Sequence, residues 1–417
     1  MELLDVQGQL TMDYAAAAAR LQDRIDQLSR ITEVPGEITR TYLSPAMREA
    51  NSLVCEWMNE AGFSGHVDSA GNARGWLQGP EPDSPVLLTG SHLDTVRNAG
   101  RFDGPLGALL PIAAIEVLRE SGWHPPFSIL NFGFADEEGV RFQLGCLGSK
   151  AVTGRLTEAD LALRDRDGRS LREVMEEFGG APLRLPELPP RLMGYIEVHI
   201  EQGPELVRWG HPLAIVSGIN AQTRLHVVFR GEAGHAGTVP MLARRDAFAG
   251  LAEFAWFIER YARTARGLVA TIGEVHVRPG AGNVIPAMAE FSIDVRHALR
   301  TQVESACSAF EREAQRICEA RRLECEWAEV DAMPAVEFND SLTRTLCDAT
   351  LASGYPVMRL RSGAGHDAMV LADVCPAAML FVRCRDGVSH HPSEYVSLQD
   401  MEAALKVYCG FLRRLRP

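Results

Sequence analysis

Three consecutive segments do most to restrict what this chain can fold into: "PVLLTGSHLD", then "GALLPIAAIEVLRES", then "FSILNFGFADEEG". The outer two are short apolar runs of strand composition. The middle one has the length and apolar spacing of a buried helix. Strand, helix and strand in that order form a βαβ unit, whose two strands pair in parallel. Each outer run ends on titratable groups: His92 and Asp94 after the first, Asp136, Glu137 and Glu138 after the second. The C-terminal ends of such strands are where open α/β sheets build their sites. Acids and imidazole crowded there lose hydration unless something compensates them, and a metal ion does so.

The rest of the chain extends the pattern. Residues from about Tyr14 to Ile31 and from Ser44 to Ala61 have the spacing of amphipathic helices, "ALRDRDGRSLREVMEEFGG" is a polar helical excursion, and "GYIEVHIEQGPEL" is a strand ending in polar groups. From about Ala214 to Met333 the texture changes to strand, helix, strand, strand, helix, strand. That βαββαβ order is the split-βαβ, ferredoxin-like sandwich. A strand "AAMLFVR" and a final helix "LQDMEAALKVYCGFLRRLR" return to the first texture. At 417 residues the chain exceeds one typical core. The expected fold is therefore α/β. A domain with a mixed, mostly parallel sheet spans 1–213 and 334–417, and a ferredoxin-like domain at 214–333 is inserted into it.

Composition excludes several classes. A formal net charge of -13 argues against a nucleic-acid or anionic-membrane surface, which needs a dense basic patch. A few local arginines can still hold a small anionic substrate. No run is long and apolar enough to span a bilayer. The first thirty residues lack a basic segment followed by an apolar one, so no signal peptide is expected. Nine cysteines without CxxC spacing point to reduced thiols in a cytoplasm.

Polar groups gather at five element ends: "SHLDT" (His92, Asp94), "GRFDGPLG" (Asp103), "DEEG" (Asp136, Glu137, Glu138), "EVHIEQG" (His199, Glu201, Gln202) and "VSHHPSE" (His390, His391). Alone, each fits a solvated turn or a hydrogen-bonded histidine. Together they supply imidazole and carboxylate without thiolate, a donor set for zinc, manganese or cobalt and too nitrogen-rich for calcium.

With these segments in place, "GSHLDTV", "DEEGVRF", "HIEQGP", "GHAGTVPM" and "SGAGHDA" together resemble the di-metal amidohydrolases of the aminoacylase/carboxypeptidase superfamily. The likeness is to the branch of N-carbamoyl-L-amino-acid hydrolase, β-ureidopropionase and allantoate amidohydrolase, and it runs from "TRTYLSPA" to "SHHPSE". It implies a catalytic domain interrupted by a lid that also forms a homodimer. It implies two divalent metal ions, His92 and His199 binding one, Glu138 and His390 the other, and Asp103 bridging both. The motif Ser-His-x-Pro selects His390 over His391. Asp94 would orient the His92 ring, and Glu137 would serve as general base. In the lid, Arg296 and Asn283 would grip a substrate carboxylate through the planar guanidinium fork, and His235 would stabilise the oxyanion. Gln202 would contact the ureido group and His366 the substrate, whereas His226, in mid-strand, reads as structural.

The expected activity is hydrolysis of the linear C–N bond of an N-carbamoyl amino acid or of allantoate, with release of CO2 and ammonia. Two other readings stay open on sequence alone. A dipeptidase or aminoacylase of the same superfamily is disfavoured by "HIEQGP". A non-catalytic binding protein would be expected to have lost Glu137 or a ligand, and none is lost.

Overall fold

The computed structural model describes residues 12–181 and 183–417. The expectation about a leader falls largely on residues 1–11, outside them. In chain order the strands are β1 (Ser64–Val67), β2 (Ala73–Leu77), β3 (Val86–His92), β4 (Ser128–Phe134), β5 (Leu192–Ile200), β6 (Leu213–Ile219), β7 (Ala221–Arg230), β8 (Val269–Arg278), β9 (Met288–His297), β10 (Glu324–Met333), β11 (Val336–Glu337), β12 (Arg359–Ser362) and β13 (Ala377–Val382). The chain divides into two units, one of residues up to Ser217 with Phe338–Leu360 and Gly365–Pro417, the other of Gly218–Glu337 with Arg361–Ala364.

The first unit is built on a mixed sheet in the order β1-β2-β4-β3-β5-β13-β6. Its long central strands are parallel: β3 pairs with β4 and β5, and β5 with β13. The flanking pairs β1–β2, β2–β4 and β13–β6 are antiparallel. β3 and β4 are buried along their whole length, which is why they read as unbroken apolar runs. The helix Pro105–Glu120 between them packs on β3, β4 and β5, and its Leu106, Leu109, Leu110, Ile112 and Ile115 are fully buried. Each such side chain contributes roughly 1.5–3 kcal/mol by leaving water. Pro105 stands at the first helical position, where a missing N–H is harmless. The helices Tyr14–Leu28 and Leu398–Arg414 pack against that helix and each other. Ser44 caps the helix Pro45–Glu60, its hydroxyl accepting the Met47 N–H.

Because β3, β4, β5 and β13 are parallel, their C-terminal ends share one edge of the sheet. Register makes this concrete: His92 lies opposite Phe134, and His199 opposite Phe381. Two expectations need correction. The excursion at 162–180 is helical only over Leu171–Gly179. Before it, Asp165 folds its carboxylate onto the N–H groups of Asp167 and Arg169 and holds a turn instead. The division between units falls after Ser217 rather than 213, because Leu213, Ala214, Ile215 and Val216 pair with β13 in the first sheet.

The second unit carries a separate antiparallel sheet, ordered β10-β7-β9-β8, with the helices Ala247–Thr264 and Arg300–Arg321 packed on it. Ala289, Phe291, Ile293 and Val295 alternate inward along β9 and meet Phe229, Phe254 and Phe310 in its core. Within this unit Val336 and Glu337 pair with Ile219 and Gly218.

Candidate metal centre

At the C-terminal edge of the parallel strands, the ends of β3, β4, β5 and β13 and the loops after them carry eight of the expected residues in the first unit, and a ninth, His366, follows β12. Asp103 is the hub. Its Oδ1 lies 3.5 Å from His92 Nε2 and 3.2 Å from His199 Nε2, and its Oδ2 lies 3.1 Å from His390 Nε2. His390 Nε2 is also 3.1 Å from Glu138 Oε1. Two clusters of potential ligand atoms thus share Asp103: His92, Asp103 and His199, and Asp103, Glu138 and His390. Gly104 makes the approach possible. At φ 83 it adopts a conformation that favours glycine, and a Cβ there would stand 2.5 Å from His92 Nδ1.

The ring orientations test whether this donor set suits a cation. His92 Nδ1 faces the Asp94 carbonyl at 3.1 Å, and His199 Nδ1 faces the Ile200 carbonyl at 3.0 Å. A ring that donates its Nδ1–H to a carbonyl presents a bare lone pair at Nε2. The two Nε2 atoms are 3.5 Å apart. Asp103 Oδ1 between them is buried and receives no hydrogen bond. Three acceptors converging on one buried spot repel unless a cation or a proton lies among them, so the residues present fit a divalent metal.

Charge follows the same geometry. Burial pushes Asp103 up, but the imidazoles of His199, His390 and His92 gathered around it outweigh burial and hold its carboxyl well below the usual carboxylate range. Burial pushes the His92 imidazole down, yet Asp103 and Asp94 raise it well above the ordinary value. Glu137, at the end of β4, is driven upward first by burial, with Glu138, Asp367 and Asp94 adding to it against His92. Its Oε1 lies 3.7 Å from the Cys146 thiol. A carboxyl with raised proton affinity beside groups that could hold a cation suits a general base.

Asp94 does more than face His92. Its Oδ1 accepts the Glu137 N–H at 2.9 Å and its Oδ2 the Glu138 N–H at 3.1 Å, tying the two acidic loops together. Gln202, at φ 56, donates its amide nitrogen to Asp103 Oδ2 at 2.8 Å, while its Oε1 is buried and unpartnered. His366 is buried with its ring centroid 4.4 Å from that of His199. His391 turns to Ser393 Oγ at 2.8 Å.

In the second unit His235 and Asn283 are neighbours, Ala236 N–H donating to the Asn283 carbonyl at 2.9 Å. Arg296 spreads its fork over Asp294, at 2.7 and 2.9 Å, and gives Nη1 to the Gly363 carbonyl at 2.6 Å. His226 pairs with Glu290 across β7 and β9 at 3.0 Å.

Sequence reasoning missed a buried layer behind the centre. Glu197 accepts from Ser91 Oγ at 2.8 Å and from the Ala368 N–H at 2.9 Å, and Asp367 accepts from Ser149 Oγ at 2.5 Å. Ser389 and Glu394, inside "SHHPSE", were also passed over. The available signal was an acid inside an otherwise apolar strand for Glu197, and an acid closing a histidine-bearing turn for Glu394.

A model of peptidase family M20/M25/M40 matches residues 88–414. The chain belongs to that family. Enzymes of the family use divalent metals. The chain is 38% identical over 394 residues to an N-carbamoyl-L-amino acid amidohydrolase of Geobacillus stearothermophilus, covering 93% of this chain and 96% of the relative. It is 34% identical to allantoate deiminase 2 of Glycine max, covering 99% and 91%. Among solved structures, an amidase of the hydantoinase/carbamoylase family from Burkholderia multivorans superposes with a TM-score of 0.86 at 31% identity, covering 95% of this chain and 97% of that one.

Proposed function

We propose that this chain is a metal-dependent amidohydrolase that cleaves the linear C–N bond of N-carbamoyl (ureido) amino acids or of allantoate, releasing CO2 and ammonia. The observation that carries this reading is the single carboxylate of Asp103 set between two ligand clusters, with Glu137 beside them. The named relatives supply the substrate class. His92, His199 and Asp103 would hold one divalent cation, and Asp103, Glu138 and His390 a second. Zinc suits these donors first, and manganese or cobalt also suit them. Bound there, such cations supply positive charge to a scissile carbonyl and acidify water.

The chain's own residues do the rest. Glu137 takes the proton of the attacking water and passes it to the departing nitrogen. The carbamate left behind breaks down to CO2 and ammonia. The unpartnered Gln202 Oε1 can accept from a ureido NH2. Arg296, with Asn283, would pair with the substrate carboxylate, its fork already held flat by Asp294. His235 would stabilise the oxyanion, Asp94 would keep the His92 ring oriented, and His366 would line the substrate site.

We assign the first unit as catalytic and the second, whose strand order suits a ferredoxin-like fold, as a lid and dimerisation domain. Support for a homodimer comes from β8 at a sheet edge and from the exposed apolar side chains of Met241, Leu242, Phe248 and Trp256. Nine cysteines free of disulfides suit a reducing cytoplasm. Among the described residues no helix is long and apolar enough to cross a membrane.

The test is ammonia release from N-carbamoyl-α-amino acids, β-ureidopropionate and allantoate, with zinc, manganese and cobalt each restored to the metal-free protein. Turnover of at least one substrate with at least one metal is expected. Activity confined to dipeptides or acyl amides would overturn the assignment.

A further inference from the structure

The loop bearing Asp103 and the loop bearing His390 meet on a carboxylate that belongs to neither ligand cluster. Glu394 is 2% exposed. Its Oε1 accepts the N–H groups of Phe102, at 2.7 Å, and of Asp103, at 3.0 Å. Its Oε2 lies 3.0 Å from Ser389 Oγ, and that same hydroxyl lies 2.6 Å from Asp103 Oδ2. Gly100 confirms how closely the two loops approach. A Cβ at that position would stand 2.3 Å from Glu394 Cδ, so the carboxylate fills the space that any other side chain would need. Ser389 directly precedes His390.

We propose that Glu394 is a positioning residue for the metal centre, setting the Asp103 carboxylate in register with His390. This rests on the reading of Asp103 and His390 as ligands. The physical reason is the number of degrees of freedom the clamp removes. Asp103 sits in the loop just before the helix Pro105–Glu120, directly ahead of its N-cap Gly104. Glu394 takes the N–H groups of Phe102 and Asp103, which fixes the direction in which the Asp103 side chain leaves the backbone. Through Ser389 it reaches the far oxygen of the same side chain. The bridging carboxylate is therefore held at both ends by one residue, and the residue before His390 is held by the same contact. Outer partners of this kind orient ligands, and losing one costs about 10–100-fold in metal affinity.

Zinc titration of the metal-free protein against a competing chromophoric chelator tests this, alongside thermal melting of the same metal-free samples. Glu394→Ala should bind zinc about 10–100-fold more weakly than wild type. Glu394→Gln, whose amide oxygen can still accept both backbone N–H groups, should bind close to wild type. The metal-free melting point of Glu394→Gln should match wild type. Wild-type zinc affinity in Glu394→Ala overturns the proposal, and so does an equal loss in the Ala and Gln variants, since register would then not be what Glu394 supplies. Should Glu394→Ala not fold, Ser389→Ala decides. It removes the bridge but keeps the backbone clamp, so weaker zinc binding with unchanged melting supports the proposal and unchanged binding overturns it. Asp103→Ala separates the two readings, because undiminished zinc binding in that variant would mean the metal assignment itself is wrong.

Discussion

His92 Nε2 and His199 Nε2 face one another at 3.5 Å, and each ring has its other nitrogen against a backbone carbonyl. Two lone pairs aimed at one buried spot, with Asp103 Oδ1 beside them, make an arrangement that is stable only around positive charge. Removing the metal with a chelator should therefore lower the thermal midpoint, and adding zinc back should restore it. A ligand present at about a hundred times its dissociation constant adds roughly 2.7 kcal/mol, a shift of a few degrees for a chain of this size. A melting curve indifferent to both treatments would remove the basis for the metal centre.

Glu137 holds no position between Asp103 and its imidazoles, and its carboxyl is raised by burial and by its acidic neighbours. Glu137→Gln keeps the shape and removes the proton acceptor. Turnover should fall by about 10²–10⁴, while metal content, read by elemental analysis, stays at the wild-type level. Loss of metal together with activity would make Glu137 a ligand rather than a base.

The adjacent histidines of "SHHPSE" should behave oppositely. His390 Nε2 reaches both Asp103 and Glu138 at 3.1 Å, whereas His391 is turned to Ser393. His390→Ala should lose one equivalent of metal and nearly all turnover. His391→Ala should stay near wild type in both. The reverse pattern would exchange their roles.

A buried arginine links the same edge of the sheet to the stability of the whole unit. Arg40, 1% exposed, donates to the carbonyls of Leu93, Leu28 and Ile31 at 3.1–3.2 Å. Leu93 stands between His92 and Asp94 in sequence. A buried polar group left unpaired costs about 1–3 kcal/mol, so Arg40→Met should lose a few kcal/mol in urea unfolding. A variant within about 0.5 kcal/mol of wild type, the usual range of surface changes, would show that water replaces the guanidinium.

What the sequence disclosed and what it hid follow from the range of the interactions. "SHLD" and "DEEG" were legible because strand composition and the ligand types lie within a few residues of each other. The helix Pro105–Glu120 was legible from its length and apolar spacing. The role of Asp103 came from resemblance, since its contacts to Gln202 and Ser389 span 99 and 286 residues and leave no local pattern. Glu394 and Arg40 were hidden for the same reason. Their value lies in distant backbone groups, and a charged residue ordinarily reads as solvated. The turn at Asp165 was misread because a side chain bonding its own backbone overrides helical propensity.

The last prediction concerns protons. Hydrogen bonds to Asp103 and Glu138 push the half-exposed His390 imidazole up to about 10, and His92 and His199 are raised as well. At neutral pH the metal-free protein therefore holds a proton on His390 that a cation would displace, and binding must release it. Apparent zinc affinity should climb with pH from 6 toward 10, by about tenfold per unit for each proton displaced. Calorimetry at pH 7 in two buffers of different ionisation enthalpy should give different heats, reporting the protons released. Stability of the metal-free form moves the other way. A folded value raised from 6.5 to about 10 contributes stability that is complete below 6.5 and lost as pH rises through 10. The metal-free melting point should decline across that window, and less so in His390→Asn. Buffer-independent heats would mean that His390 is already neutral before the metal arrives.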